Sequence, residues 1–364
     1  MGNKCSCLYA NDPSNMTVSN RENTSEKIIK ENKIAPKEQK WINLNKIDIA
    51  NVIKIQSHIR GYLCRKKSGF KHKITKQEEA KVPLKISWQE IENIPINDNE
   101  QVKNAEAKMG PFDYGKYVFD SNEKLIQKKP MLSDVGAIYI GQWNENEQRC
   151  GKGKQYWPDG SLYEGYWNND MANGYGRLIH TDGDSYTGFW VNDMAQGFGE
   201  YLNNDGSKYT GDWYKDKQHG KGKELCQDGS WYEGDYVMGK KEGKGKFYWK
   251  DDSSYEGAFK DNVIEGKGIY QWNDGRVYNG EWVQNKMHGK GVFTWPDGKR
   301  YEGDYLDDKK HGIGEFIWPE GNKYKGGWVN GKQHGRGIFT NNDGKSREGE
   351  WQDGVRVRWV TSMK

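Results

Sequence analysis

Polar and aromatic positions alternate in short bursts through the last two-thirds of the chain, and after a slightly longer first spacing the bursts recur every 23 residues. Each holds a tyrosine, a glycine and a second aromatic at i, i+2 and i+4. The first four are Tyr139-Ile-Gly141-Gln-Trp143, Tyr163-Glu-Gly165-Tyr-Trp167, Tyr186-Thr-Gly188-Phe-Trp190 and Tyr209-Thr-Gly211-Asp-Trp213. The beat continues at Tyr232, Tyr255, Tyr278 (with Gly280 and Trp282), Tyr301 and Tyr324, and closes at Arg347-Glu-Gly349-Glu-Trp351. A period of two belongs to a strand, which sends all three side chains of a triplet to one face. Glycine between two rings leaves room for a neighbouring ring or backbone. Eleven or twelve residues after each tyrosine comes Gly-x-Gly, as in Gly174-Tyr-Gly176 and Gly289-Lys-Gly291. A second short strand is expected after it, ending at a turn such as Asp159-Gly160 or Asp274-Gly275, where glycine takes the positive φ of a tight hairpin. Strand, loop, strand and turn make one antiparallel hairpin per period. Nothing in the array has apolar residues three and four apart, so no helix is expected to cross the sheet.

So small a unit cannot bury its apolar face alone and must stack on its neighbours. Ten hairpins at about 4.8 Å per strand would extend on the order of 90–100 Å. Aliphatic residues are few, so the 16 Trp and 22 Tyr must supply the buried area, at about 150–250 Å² per ring. Arg347, where a tyrosine is due, fits a last repeat made polar to stop further stacking. Tyr-x-Gly-x-Trp followed by Gly-x-Gly and Asp-Gly closely resembles the MORN repeat family over about residues 136–359. The departures are Asp251-Asp252, Glu320-Gly321, Arg347 and one extra residue before Gly151. The resemblance implies an all-β repeat fold, an elongated single-layer antiparallel β-meander of about ten MORN hairpins. It also implies a scaffold, since members of the family occur in ciliary and flagellar assemblies, parasite cytoskeletons and junctional membrane proteins, and beside some lipid kinases and a histone methyltransferase.

The front of the chain is of another kind. Val52, Ile55, Ile59 and Leu63 lie three or four apart and predict a short amphipathic helix, with Arg60, Arg65, Lys66 and Lys67 on its basic face. Ile55, Gln56, Ile59, Arg60, Gly61, Leu63 and Arg65 resemble the IQ motif, which implies calmodulin or a related EF-hand protein as partner, its groove taking the apolar stripe. The alternative is a basic helix lying on a membrane or on the sheet. At the start, Gly2 followed by Ser6 fits N-myristoylation, and Cys5 and Cys7 are placed for a second acyl chain. One chain holds a protein to a membrane only marginally, whereas two hold it durably. There is no apolar run long enough for a signal peptide or a membrane span. Much of 8–45 and 68–130 is Asn-, Lys-, Glu- and Ser-rich and reads as a largely disordered linker. Trp41, Trp88 and Phe112-Asp-Tyr114-Gly-Lys-Tyr117 interrupt it and are candidates to dock on the first repeats as a cap. The divisions are 1–45 acylated N-terminus, 46–68 IQ helix, 69–135 linker and cap, 136–359 array and 360–364 tail.

Charge divides the same way: residues 1–137 hold 24 Lys and Arg against 17 Asp and Glu, leaving 32 against 35 for the rest. A basic front suits an anionic membrane, attracted at about 1 kcal/mol per cationic side chain near the surface. The slightly acidic array argues against lipid or nucleic-acid binding by the repeats. Lys240-Lys241 and Lys309-Lys310 could meet phosphates as local patches, but read first as solvated turn charges. No P-loop, nucleophile elbow or His-Glu-x-x-His occurs, and Gly-x-Gly here precedes no helix, so it places none on a phosphate. No cofactor or metal is implied. His219, His288, His311 and His334 precede Gly-x-Gly as loop residues, roughly 9–10 Å apart from hairpin to hairpin, too far to share a zinc. Cys64, Cys150 and Cys226 show no zinc spacing. The expected protein is a non-enzymatic scaffold on a membrane's cytoplasmic face, binding an EF-hand protein and cytoskeletal or ciliary partners, and open to pairing with itself. A structural subunit of a ciliary assembly and an adaptor regulating a lipid kinase in trans are the alternatives.

Overall fold

The computed structural model describes residues 98–119 and 123–360. Their 22 strands belong to one open antiparallel sheet, and the chain divides between Val263 and Ile264 into two compact units. The first contains helix α1 (Glu100–Met109), a 3-10 turn (Tyr114–Lys116) and the short strands β1 (Ile126–Gln127) and β2 (Met131–Leu132). Then come β3 (Ile138–Trp143), β4 (Arg149–Tyr156), β5 (Leu162–Asn168), β6 (Met171–Ile179), β7 (Ser185–Val191) and β8 (Met194–Leu202). After them follow β9 (Lys208–Tyr214), β10 (Lys217–Leu225), β11 (Trp231–Val237), β12 (Lys240–Tyr248) and β13 (Ser254–Lys260). From β3 to β13 each strand pairs with the next. Both β1 and β2 cover the outer edge of β3, pairing Ile126 with Trp143 and Met131 with Tyr139.

Register explains the composition. Glycine meets glycine across every strand: Gly165 with Gly176, Gly176 with Gly188, Gly188 with Gly199 and Gly199 with Gly211. A tyrosine ring lies over each such pair. Tyr163 is fully buried, its Oη donating to the Tyr166 carbonyl at 3.0 Å. A Cβ on Gly176 would stand 2.3 Å from that oxygen, so the second glycine of Gly-x-Gly is there for space. The first glycine is there for its backbone, since Gly174 takes φ +90° at a bulge where β6 slips against β5. Tyr163 meets Trp167 and Trp190 edge-on at 5.0 and 5.4 Å, and Trp190 Nε1 donates to the Gly176 carbonyl at 3.1 Å. The aromatics are thus linked from hairpin to hairpin by ring edges and by bonds to the glycine row.

The structure places Gly-x-Gly inside the second strand, not before it. The tightest turn is also elsewhere than Asp-Gly: Asn169-Asp170 and Asn192-Asp193 join the strands of a hairpin with φ positive at both residues, the two-residue geometry that follows strand twist. These turns are stitched to the preceding hairpin. Asp193 N donates to the Ala172 carbonyl at 3.0 Å, and Ala172 N returns a bond to Asp193 Oδ1 at 2.6 Å.

The second unit comprises β14 (Val263–Gln271, from Ile264), β15 (Val277–Val283), β16 (Lys286–Thr294), β17 (Arg300–Leu306), β18 (Lys309–Ile317), β19 (Lys323–Val329), β20 (Lys332–Thr340), β21 (Ser346–Gln352) and β22 (Val355–Trp359). Its glycine row runs from Gly268 through Gly280, Gly291, Gly303, Gly314, Gly326 and Gly337 to Gly349. Tyr278, Tyr301 and Tyr324 are fully buried above it. At its end the Arg347 and Arg356 guanidiniums stack on Trp359 at 4.8 and 4.3 Å, and β22 carries no Gly-x-Gly on which a further hairpin could pack.

Candidate docking faces

Strand alternation gives each unit two faces. One carries Tyr163, Gly165 and Trp167, Tyr186, Gly188 and Trp190, and Tyr209, Gly211 and Trp213, with Tyr278, Gly280 and Trp282 in the second unit. These side chains are spent on packing and on bonds to the glycine row, so they are structural. The residues between them form the opposite face, where differences between repeats collect.

Over the first hairpins of the first unit that face is aromatic, with Tyr166, Tyr175, Phe189 and Phe198, and residues 98–119 lie on it. Asn99 caps α1 by accepting from Gln101 N and Val102 N, and its own amide donates to the Thr181 carbonyl at 2.8 Å. Val102 is buried against Leu162 and Ile179. Composition reads this stretch as linker, but Val102, Ala105 and Met109 give a ten-residue helix an apolar side that the sheet covers. Phe112 stacks on Tyr175 at 5.6 Å. Tyr166 Oη donates to the carbonyls of Tyr114 at 2.9 Å and Tyr117 at 3.1 Å, and the Phe119 ring lies on Tyr166. Beneath this cover Glu164 is fully buried between Lys154 and Arg177, the latter at 2.5 Å and donating also to the Gly110 carbonyl. Phe198 continues the aromatic row but remains 57% exposed.

The same positions in later hairpins are ionic. Lys221 meets Asp235 at 2.5 Å and Lys223 meets Glu233 at 3.1 Å; in the second unit Lys290 meets Asp304 at 2.5 Å. Burial works against ionisation of Asp304, but the Lys290 ammonium and the Ile313 N–H outweigh it and hold the carboxyl below its usual range. Exposed pairs of this kind stabilise by about 1 kcal/mol or less. Their effect is to pattern the surface. The second unit has an open concavity of about 670 Å³ on this face, lined by Lys290, Val292, Glu302, Ile313, Glu315 and Lys325, and Ile313 is 61% exposed within it. Backbone, charge and one exposed aliphatic line it.

Two sequence readings need correction. Lys241 and Lys310 are not solvated turn charges: they are 1% and 2% exposed, on the tyrosine face, while Lys240 is exposed. His219, His288, His311 and His334 lie within strands at the bulge, not in loops. Among the described residues no three His, Cys, Asp or Glu side chains converge as metal ligands. Gly2, Cys5 and Cys7, and Ile55, Gln56, Ile59, Arg60, Gly61, Leu63 and Arg65 of the predicted IQ segment, lie outside the described residues.

The MORN repeat model matches nine consecutive segments, from 139–162 to 324–346, which together span more than half of the chain. The chain belongs to the MORN repeat family. Residues 49–68 of this MORN protein match the IQ calmodulin-binding motif. Both are repeat or binding modules and neither is catalytic. The hairpin beginning at Arg347 lies beyond the nine matched segments, as its polar first residue suits. No curated protein matches the sequence. Among solved structures, the TCP10 domain of Danio rerio CPAP (E1021V mutant) is 11% identical, with 65% of this chain and 100% of that chain covered and a TM-score of 0.23. The SAS-4 TCP domain of Drosophila melanogaster is 16% identical over 45% and 90%, at 0.20. Virginiamycin B lyase of Staphylococcus aureus is 12% identical over 61% and 83%, at 0.13. Such scores carry no functional argument.

Proposed function

We propose that this MORN protein is a non-enzymatic scaffold held to the cytoplasmic face of a membrane, with an EF-hand protein on its IQ helix and protein partners on its repeats. The observation that carries the reading is the pairing on one chain of a matched calmodulin-binding motif with nine matched repeats whose aromatic side chains are consumed by folding. What varies from repeat to repeat is the opposite face, aromatic and largely covered over the first hairpins of the first unit, ionic from Lys221 onward, and with an open concavity in the second unit. That is how a docking surface differs from a framework. Acylation at Gly2, with Cys5 and Cys7, would supply the tether, and the basic stretch around the IQ helix would add electrostatic attraction that a bound EF-hand protein masks.

Liposome flotation of the acylated chain tests this. Binding to anionic vesicles should be lost in Gly2→Ala and fall when calmodulin is added to the wild type. Flotation indifferent to both would sink the tethered reading. Retention of Gly2→Ala on an axoneme would favour the structural-subunit alternative, and changed activity of a co-purifying lipid kinase the adaptor alternative.

A further inference from the structure

Two hairpins bury the same pair of donors, and they differ in the acceptor. In the first unit Tyr236 lies directly opposite Lys241, and one carboxylate serves both: Glu224 accepts from Lys241 Nζ at 2.5 Å and from Tyr236 Oη at 3.2 Å. Three periods later, in the second unit, Tyr305 lies opposite Lys310 in the same register. The residue at the place of Glu224 is Phe293. Lys310 is 2% exposed and Tyr305 3%, and neither Nζ nor Oη has a hydrogen-bond partner among the described residues.

Aromatic faces surround the amine instead: Phe316 at 4.3 Å, Trp328 at 4.9 Å, and Trp295 and Tyr301 at 5.2 Å. Such faces attract a cation, but they do not satisfy its N–H groups as an oxygen does. The fold does not require an amine here, because the corresponding positions of other hairpins hold Ala172, Ala195, Ile264 and Met287, all buried. Burial, with a smaller effect from Lys299, pushes the Lys310 amine down to about 7, so a modest change in its surroundings decides whether it is charged.

We propose that Tyr305 and Lys310 form a seat for a carboxylate carried on an apolar group and supplied from outside the chain. The acid is named by the Glu224 site, where a single carboxylate oxygen takes both donors. The apolar carrier is named by the walls, since Phe293, Phe316 and Trp328 are buried and only Trp295 among these rings is partly open to solvent. An anion seated there favours the ammonium, so affinity must fall as pH rises above about 7.

Thermal unfolding of the full chain near pH 6.5, with benzoate as the probe, tests the seat. Benzoate should raise the unfolding midpoint to a plateau, because a ligand of the folded state alone stabilises it by mass action. Benzyl alcohol, of the same shape and uncharged, should not, nor should sodium chloride at equal ionic strength. Lys310→Met copies Met287 and should abolish the response. Phe293→Glu copies Glu224 and should abolish it too, while raising the midpoint without ligand. The wild-type response should fade by pH 9. Equal effects of benzoate and benzyl alcohol would overturn the proposal, as would a response surviving in Lys310→Met. Stabilisation by phenyl phosphate but not benzoate would overturn the assignment to a carboxylate.

Discussion

Replacing Gly176 by alanine tests whether glycine is used in the row for space. Its backbone is not left-handed, so alanine meets no conformational strain there. The added Cβ would stand 2.3 Å from Tyr163 Oη and 2.6 Å from its Cζ, in a ring that is fully buried. Relief requires that ring to swing away. Overpacking of this kind costs about 1–3 kcal/mol, and loss of the Oη bond to the Tyr166 carbonyl about 1 kcal/mol more. Uncovering half of a tyrosine ring adds about 2 kcal/mol at 25 cal/mol per Å². The sum is roughly 4–6 kcal/mol. Gly206→Ala is the control: its φ is +89° and nothing lies within 4 Å of the added carbon, so it carries only backbone strain, about 1–2 kcal/mol. Urea unfolding followed by near-ultraviolet circular dichroism reports the aromatic packing directly. Adding Tyr163→Phe to Gly176→Ala removes the nearest atom and should recover part of the loss. A Gly176→Ala variant no less stable than Gly206→Ala would refute the role of close approach.

Burial pushes the Asp193 carboxyl up to about 6, against the pull of the Ala172 N–H. A raised folded-state value means stability is full below the ordinary carboxylate range and falls as pH rises through about 6, by about 2–3 kcal/mol. Asn262 and Asn285 make the same bond with an amide, at 2.8 and 2.7 Å. Asp193→Asn should therefore flatten the stability profile between about pH 4 and 6 and be more stable than wild type at pH 7, as urea titrations at each pH would show; an unchanged slope would refute the assignment. For Lys310 the sign is opposite. Its folded-state value is depressed to about 7, so the unfolded chain binds more protons between pH 7 and 10.5 and wild-type stability rises across that window. Lys310→Met should lack the rise and be the more stable at pH 7, and parallel profiles would count against it.

The repeat was legible because its period is two within a strand and 23 between hairpins, and nothing but a stacked sheet satisfies both. Roles within the period were less so. Gly174 and Gly176 are the same residue type two positions apart, yet one supplies a positive φ and the other a missing Cβ, and only register tells them apart. The tight turns Asn192-Asp193, Lys215-Asp216 and Gln284-Asn285 hold positive φ without glycine, because Asn and Asp tolerate the left-handed region and the stitch to the preceding hairpin holds each turn. Lys241 and Lys310 resemble turn charges beside Lys240 and Lys309; the available signal was alternation, which puts the second of each pair on the tyrosine face. The cover at 98–119 was visible only as aromatics in a polar stretch, since what it binds, Tyr166, Tyr175 and Phe189, is an exception to the ionic pattern of the later repeats.

If this chain works by binding, with the repeats as framework and the IQ helix as a port, then calmodulin should find that port on the intact protein. Titration calorimetry of the full chain with calmodulin, in calcium and in its absence, decides the point. One calmodulin per chain should bind, and Ile55→Asp with Ile59→Asp should abolish binding while the near-ultraviolet signal of the array is unchanged. Absence of binding in both conditions, or full affinity in the double variant, would rule the port out.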